Sequence, residues 1–135
     1  METVAIVVAA GRGTRAGGAI PKQYQPLAGR PVIERTLAAL AAHAAVDRLV
    51  LVVHPEDRAL LSERVRMPSK PVEVVEGGAT RGASVAAGLH ACRDAARVLI
   101  HDGARPLVAP AVIDRVLAAL VTHPGAAPAL PVTDA

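Results

Sequence analysis

Phenylalanine and tryptophan are absent from the 135-residue chain, and Tyr24 is its single aromatic side chain. The core must therefore be assembled from small and branched aliphatic groups, and almost no ring is available on which a nucleic-acid base could stack. Cysteine occurs once, as Cys92, which excludes an internal disulfide. Its neighbours Ala91, Ala95 and Ala96 place it in a helical core setting, where a free thiol behaves as a small hydrophobe. Dense runs of one charge are missing too: 15 Lys and Arg face 12 Asp and Glu, giving a net charge of +3 and a pI near 9.8. The basic residues are scattered singly, which argues against a nucleic-acid track and for a small anionic ligand such as a phosphate compound. The first apolar run follows Met1-Glu2-Thr3 without a cationic stretch, is too short for a membrane span and runs into glycines. The expectation is a cytoplasmic protein with neither a nucleic-acid nor a membrane partner.

What is present is aliphatic: 52% of the residues are hydrophobic and 20% charged, a balance that suits one compact domain over residues 1–135. Apolar runs of strand length recur at Val4–Ala10, Leu49–Val53, Val72–Val75, Val98–Ile100 and Ala127–Val132. Most are continuous rather than alternating, as in parallel strands buried on both faces. Helical spacing fills the gaps at Val32–His43, Glu56–Val65, Ser84–Arg93 and Ala111–Thr122. Pro31, Pro55 and Pro110 stand near three of the four helix starts, where a fixed φ helps and the missing N–H is not needed. The expected fold is α/β, a three-layer, Rossmann-like, doubly wound and mainly parallel sheet. The chain stops after an apolar stretch without a closing helix, so the domain is expected to be incomplete.

At the end of the first run stands Ala9-Ala10-Gly11-Arg12-Gly13-Thr14-Arg15. Open α/β sheets bind ligands beyond the carboxyl ends of their strands, and Gly11 and Gly13 allow backbone N–H groups to converge on phosphate oxygens. The glycines alone are also compatible with a plain turn, the lesser of the two readings. Gly11 to Ala16 also satisfies the dinucleotide pattern literally, but Gly17, Gly18 and Pro21 would break the helix that pattern requires, and the second strand ends in His54-Pro55 rather than an acidic residue. No Gly-Lys-Ser or Gly-Lys-Thr follows, which excludes a Walker-type loop. Two cations mark the region, Arg15 and, in Pro21-Lys22-Gln23-Tyr24, Lys22. Taken singly, each is also readable as a solvated surface charge. Beside a glycine nest, the pair suits nucleotidyl transfer, whose crowded, highly negative pentacovalent transition state fixed cations stabilise more than they stabilise the ground state.

A second glycine turn, Glu76-Gly77-Gly78-Ala79-Thr80-Arg81-Gly82-Ala83-Ser84, leads into a helix at the same sheet edge. Thr80 or Ser84 could offer a hydroxyl to a ligand, or Thr80 could cap the helix, and Arg81 could pair on the surface. The fourth strand ends in His101-Asp102-Gly103-Ala104-Arg105-Pro106. Asp102 is the candidate metal ligand, because Mg²⁺ prefers one or two carboxylates together with phosphates and water. Its structural alternatives are capping a turn or pairing with Arg105. His101 has no Cys or second His at ligand spacing and is read as a packing residue.

Together these segments resemble the methylerythritol phosphate cytidylyltransferase family, over nearly the whole chain. The first loop is shared with many nucleotidyltransferases, including guanylyltransferases of molybdenum cofactor synthesis; the Pro21–Tyr24 and His101–Pro106 runs are much more specific. The resemblance implies attack of 2-C-methyl-D-erythritol 4-phosphate on the α-phosphate of CTP, giving 4-diphosphocytidyl-2-C-methyl-D-erythritol and pyrophosphate with Mg²⁺ or another divalent cation. In that family pattern Arg15 and Lys22 match the transition-state cations. Ala9, Ala10, Gly11 and Gly13 match the triphosphate and base loop, Gly78 and Ser84 the cytidine pocket, with Gly103 completing the nucleotide set. Asp102 matches the metal ligand, and Arg81 and Arg105 are secondary candidates. Ala16 and Ala79 depart from the pattern, which often has a methionine and an acidic residue there. The resemblance also implies a homodimer whose dimerisation arm and carboxyl-terminal part lie beyond residue 135, and in some bacteria a fusion to a cyclodiphosphate synthase. Two other readings stay open, a noncatalytic CTP-binding fragment and an NAD-dependent oxidoreductase.

Overall fold

A computed structural model describes residues 1–12 and 20–133. Its centre is β1 (Thr3–Ala9), seven residues that are all buried. β1 pairs in parallel with β4 (Arg48–Val53) on one side, Val4 opposite Arg48 and Ala9 opposite Val53. On the other side it pairs in parallel with β6 (Arg97–Asp102), Val8 opposite Asp102. β5 (Val72–Glu76) adds to β4, so the sheet order is β5-β4-β1-β6. Period-two alternation sends Ala5, Val7 and Ala9 to one face and Val4, Ile6 and Val8 to the other, and both faces are covered. That is why β1 is apolar without interruption.

The first face packs against α1 (Val32–Ala41) and α4 (Pro110–Ala119). Ile33, Leu37 and Leu40 of α1 and Ile113 and Leu117 of α4 enter one cluster, at the three- and four-residue spacing of a helix face. The second face packs against α3 (Arg81–Ala91), through Val85 and Ala91. Cys92, at the end of α3, is buried, and its thiol donates to the Gly88 carbonyl at 3.2 Å. Burial pushes that thiol's pKa up. The three-layer α/β expectation holds, with helices on both faces of a parallel sheet.

Three local differences from the sequence reading have physical causes. The segment Glu56–Val65 is not one helix but a 3₁₀ turn, Pro55–Asp57, leading into a short α2 (Arg58–Arg64). A small hairpin, β2 (Pro26–Leu27) with β3 (Arg30–Pro31), was not expected. Its turn carries positive φ at Ala28 (50°) and Gly29 (84°), as a type I′ turn demands, and Arg35 donates to the Leu27 and Ala28 carbonyls at 2.7 and 2.8 Å. The expected fifth strand at Ala127–Val132 does not form: residues 124–133 are irregular, and Leu130 and Val132 are exposed. An apolar run becomes a strand only by pairing, and this one pairs with no strand among the described residues. No helix among the described residues is long and apolar enough to cross a membrane.

Candidate active site

The chain runs from β1 outward through β4 to β5, then returns to the other side of β1 for β6. The direction of winding therefore reverses between β1 and β6, and at such a switch point the loops leaving neighbouring strands diverge and open a crevice. A cavity of about 350 Å³ lies there. Val8 to Gly11 line it from the end of β1, Asp102 and Ala104 from the end of β6, and Gly78 to Arg81 with Ser84 from the β5–α3 connection. Lys22 and Gln23 close it from the 3₁₀ turn Lys22–Tyr24.

Each wall has a local cause. Gln23 is buried, and its Nε2 donates to the carbonyls of Ala9 at 2.9 Å and Gly11 at 2.8 Å. In a trans peptide the N–H points opposite to the C=O, so the N–H groups of Ala10 and Arg12 are aimed away from Gln23. At the opposite wall, Gly77 permits close approach of two loops. A Cβ there would overlap that of Ala10 and lie 2.7 Å from Ser84 Oγ. Ser84 is buried, and its Oγ accepts from Gly78 N–H at 3.2 Å while keeping its own proton to donate. Thr80 is the N-cap of α3, its Oγ1 accepting from Ala83 N–H at 3.1 Å.

Asp102 meets both of its structural alternatives and still borders the cavity. Its Oδ1 accepts from Ala104 N–H at 2.9 Å, and its Oδ2 lies 3.8 Å from Arg105 Nε. Gly103 is held by its neighbours: its N–H donates to Val8 O at 2.9 Å, its carbonyl accepts from Thr36 Oγ1 at 2.8 Å, and a Cβ would stand 2.9 Å from that of Ala9. It lets β6 turn tightly against β1 and does not line the cavity. Arg105 is exposed and borders a separate shallow depression with His101 and Leu107. His101 Nε2 lies 2.7 Å from the Arg105 carbonyl.

The structure thus brings Ala9, Ala10, Gly11, Lys22, Gly78, Arg81, Ser84 and Asp102 to one cavity. Gly13 and Arg15 lie outside the described residues. Lys22 and Arg81 are exposed, with no ion pair to another described residue, so the charge facing the cavity is positive apart from Asp102. Among the described residues no group of three or more His, Cys, Asp or Glu gathers as a metal cage. Gln23 and Thr36 are the supporting residues that sequence reasoning missed. Their one signal was a polar residue inside an otherwise buried stretch, which does not say which backbone it will bind.

The chain spans 61% of the length of one group of curated relatives and 35% of bifunctional ones. It is 63% identical over its whole length to 2-C-methyl-D-erythritol 4-phosphate cytidylyltransferase of Cereibacter sphaeroides. It is 53% identical, over 98% of its length and 35% of the relative's, to the bifunctional enzyme IspD/IspF of Rhodospirillum rubrum. Among solved structures, 4-diphosphocytidyl-2C-methyl-D-erythritol synthase of Anaerococcus prevotii superposes with a TM-score of 0.75 at 29% identity, covering 90% of this chain and 51% of that one. Rv0371c of Mycobacterium tuberculosis in complex with manganese superposes with a TM-score of 0.62 at 27% identity, over 87% of this chain and 59% of that one. The profile of the family described as IspD: 2-C-methyl-D-erythritol 4-phosphate cytidylyltransferase matches residues 3–135. With glycine turns, a lysine and an aspartate converging at the switch point of a parallel sheet, the chain belongs to the 2-C-methyl-D-erythritol 4-phosphate cytidylyltransferase family.

Proposed function

We propose that the protein containing this chain transfers the cytidylyl group of CTP to 2-C-methyl-D-erythritol 4-phosphate, giving 4-diphosphocytidyl-2-C-methyl-D-erythritol and pyrophosphate in isoprenoid precursor synthesis. Residues 1–135 form its nucleotide-binding part. The observation that carries this reading is the cavity at the switch point. There a backbone-lined loop, the cations Lys22 and Arg81 and the carboxylate of Asp102 meet in a chain of this family. An oxygen of the acceptor phosphate attacks the α-phosphorus, its P–O bond forms, and the bond to the β-phosphate breaks to release pyrophosphate. Negative charge on the phosphoryl oxygens peaks between these events, and the ammonium of Lys22 stabilises that state more than the bound substrate. Arg15, by the family pattern, supplies the second cation. The loop Ala9–Gly13 receives the triphosphate, and Gly78 with Ser84 walls the base.

The donor set fits a divalent cation of the Mg²⁺ type. Asp102 offers an oxygen with no hydrogen bond to another described residue, and phosphate oxygens and water would complete the shell. Bound there, the ion would neutralise triphosphate charge and draw electrons from the α-phosphorus. The manganese complex of a structural relative supports a divalent cation at this fold. In this reading Arg105 orients the Asp102 loop, the whole protein is a cytoplasmic homodimer, and the acceptor site is completed by residues beyond 135. The test is pyrophosphate release by the full-length protein supplied with CTP, Mg²⁺ and the acceptor. Release that requires all three supports the reading, and release with ATP, GTP or UTP in place of CTP at equal rate removes the cytidylyl assignment.

A further inference from the structure

Arg12 follows Gly11 at the lip of the cavity, yet it does not line it. Its guanidinium is held on the 3₁₀ turn after β4: Nη1 lies 2.6 Å from Asp57 Oδ1 and 3.3 Å from His54 Nδ1, and Nη2 lies 3.5 Å from Glu56 Oε2. Asp57 is 45 residues away in sequence, and its side chain is only 4% exposed. Its other oxygen, Oδ2, is buried without a hydrogen-bond partner among the described residues. A buried carboxylate with one oxygen unsatisfied stabilises a fold poorly, and an apolar residue of similar size would serve stability better. The pair does supply geometry. Gln23 fixes the Ala9 and Gly11 carbonyls from the Lys22 side, and Asp57 fixes residue 12 from the β4–α2 side, so the stretch 9–12 is tied at both flanks.

Tyr24 lies near both ties. It is buried directly after Gln23 and packs close enough to feel Asp57: burial first, then the Asp57 charge, pushes its hydroxyl up to about 12, against a smaller opposing pull from Arg12. A loop whose N–H groups must meet phosphate oxygens gains most from being held before the ligand arrives, because no ordering then remains to be done at binding or in the transition state.

We propose that Asp57 is a positioning residue for the nucleotide site: through Arg12 it fixes the backbone of the loop after β1, and Arg12 is an anchor of that loop rather than a phosphate ligand. The inference rests on the nucleotide-binding reading above and deepens it. In the full-length protein, Asp57→Asn and Arg12→Ala should each raise the KM for CTP roughly tenfold or more. The double variant should raise it no further than the worse single one, because both break the same tie. If Arg12→Ala raises KM while Asp57→Asn leaves it unchanged, Arg12 is a direct ligand and the proposal is overturned; KM unchanged in both, or additive effects, overturns it equally. A second readout needs no turnover: hydrogen exchange at the amides of residues 10–12 in the unliganded protein. Asp57→Asn should speed it while exchange in β4 stays at the wild-type rate. Wild-type exchange at residues 10–12 in that variant sinks the positioning role even if the parent enzyme proves inactive on CTP, whereas an inactive parent with accelerated loop exchange in the variant sinks only the reaction.

Discussion

Lys22 and Arg12 are both cations beside the same glycine loop, and their surroundings give them opposite roles. Arg12 is taken up by Asp57 and Glu56, while Lys22 stands exposed on the cavity wall with no ion pair to another described residue. Under the proposed reaction, Lys22→Ala should lower kcat by roughly a hundredfold or more, the scale on which a single fixed electrostatic donor acts, with a much smaller change in the Kd for CTP. Steady-state kinetics beside calorimetry checks it, and equal losses in kcat and Kd would make Lys22 a ground-state ligand. Tyr24 gives a residue-scale prediction in pH. Its hydroxyl is raised from 10.0 to about 12, chiefly by burial. A folded-state value above the unfolded one means stability that is fully present below pH 10 and is lost as pH rises toward 12. Two units correspond to roughly 3 kcal/mol at full ionisation. Urea melts at pH 9 and 11 should therefore show wild type losing about 1 kcal/mol more than Tyr24→Phe. Cys92, whose thiol shifts in the same direction, is common to both proteins and cancels. Equal losses would mean that the Tyr24 hydroxyl reaches water.

At the scale of elements, most boundaries were readable because their causes are local. Pro110 opens α4, Pro31 immediately precedes α1, Pro55 starts the 3₁₀ turn before α2, and Thr80 caps α3. Thr80→Ala removes the acceptor of Ala83 N–H and should destabilise the protein by about 1 kcal/mol, while Thr80→Ser should retain most of it. Thermal melts of the two variants decide it, and equal melting would show that water replaces the cap. The β2–β3 hairpin was missed because its turn seats an alanine, Ala28, in the left-handed region where glycine or asparagine is the usual signal. What holds it there is Arg35, seven and eight residues away, bonding the two turn carbonyls. Ala127–Val132 failed for the opposite reason. Its composition suits a strand, but residues 127–132 pair with no strand edge among the described residues, and an apolar run without pairing is not a strand.

Among the described residues, the order β5-β4-β1-β6 leaves β6 as an edge, with Ile100 half-exposed beside a groove bounded by Val112, Val116 and Pro128. Unpaired strand edges with apolar side chains attract other chains. Sedimentation of the 135-residue chain should show concentration-dependent self-association that Ile100→Lys reduces. A wild-type chain that stays monomeric at high concentration would show the edge to be sufficiently protected by its own loops. The same strand order places the candidate site, since the reversal between β1 and β6 sets Val8 beside Asp102 and opens the crevice that the β5–α3 turn walls.

The class of fold and most of the chemical inventory are legible in the order of residues alone. Continuous aliphatic runs alternating with helical spacing leave a buried parallel sheet as the economical solution, and glycines and Asp102 at strand ends, with Lys22 in the segment after the first glycine loop, follow from local chemistry. The three-dimensional packing settles which of those residues share a cavity. It set Lys22, Gly78 and Asp102 around the end of β1 and left Gly103 as a packing residue and Arg105 outside. Gln23, Thr36 and Asp57 emerged only there, because a side chain whose partner lies 12 to 67 residues away leaves no mark of that partner in the local pattern. Local sequence encodes dihedral preference and burial, whereas the pairing of distant polar groups depends on strand order and register, and these are settled by packing the whole chain.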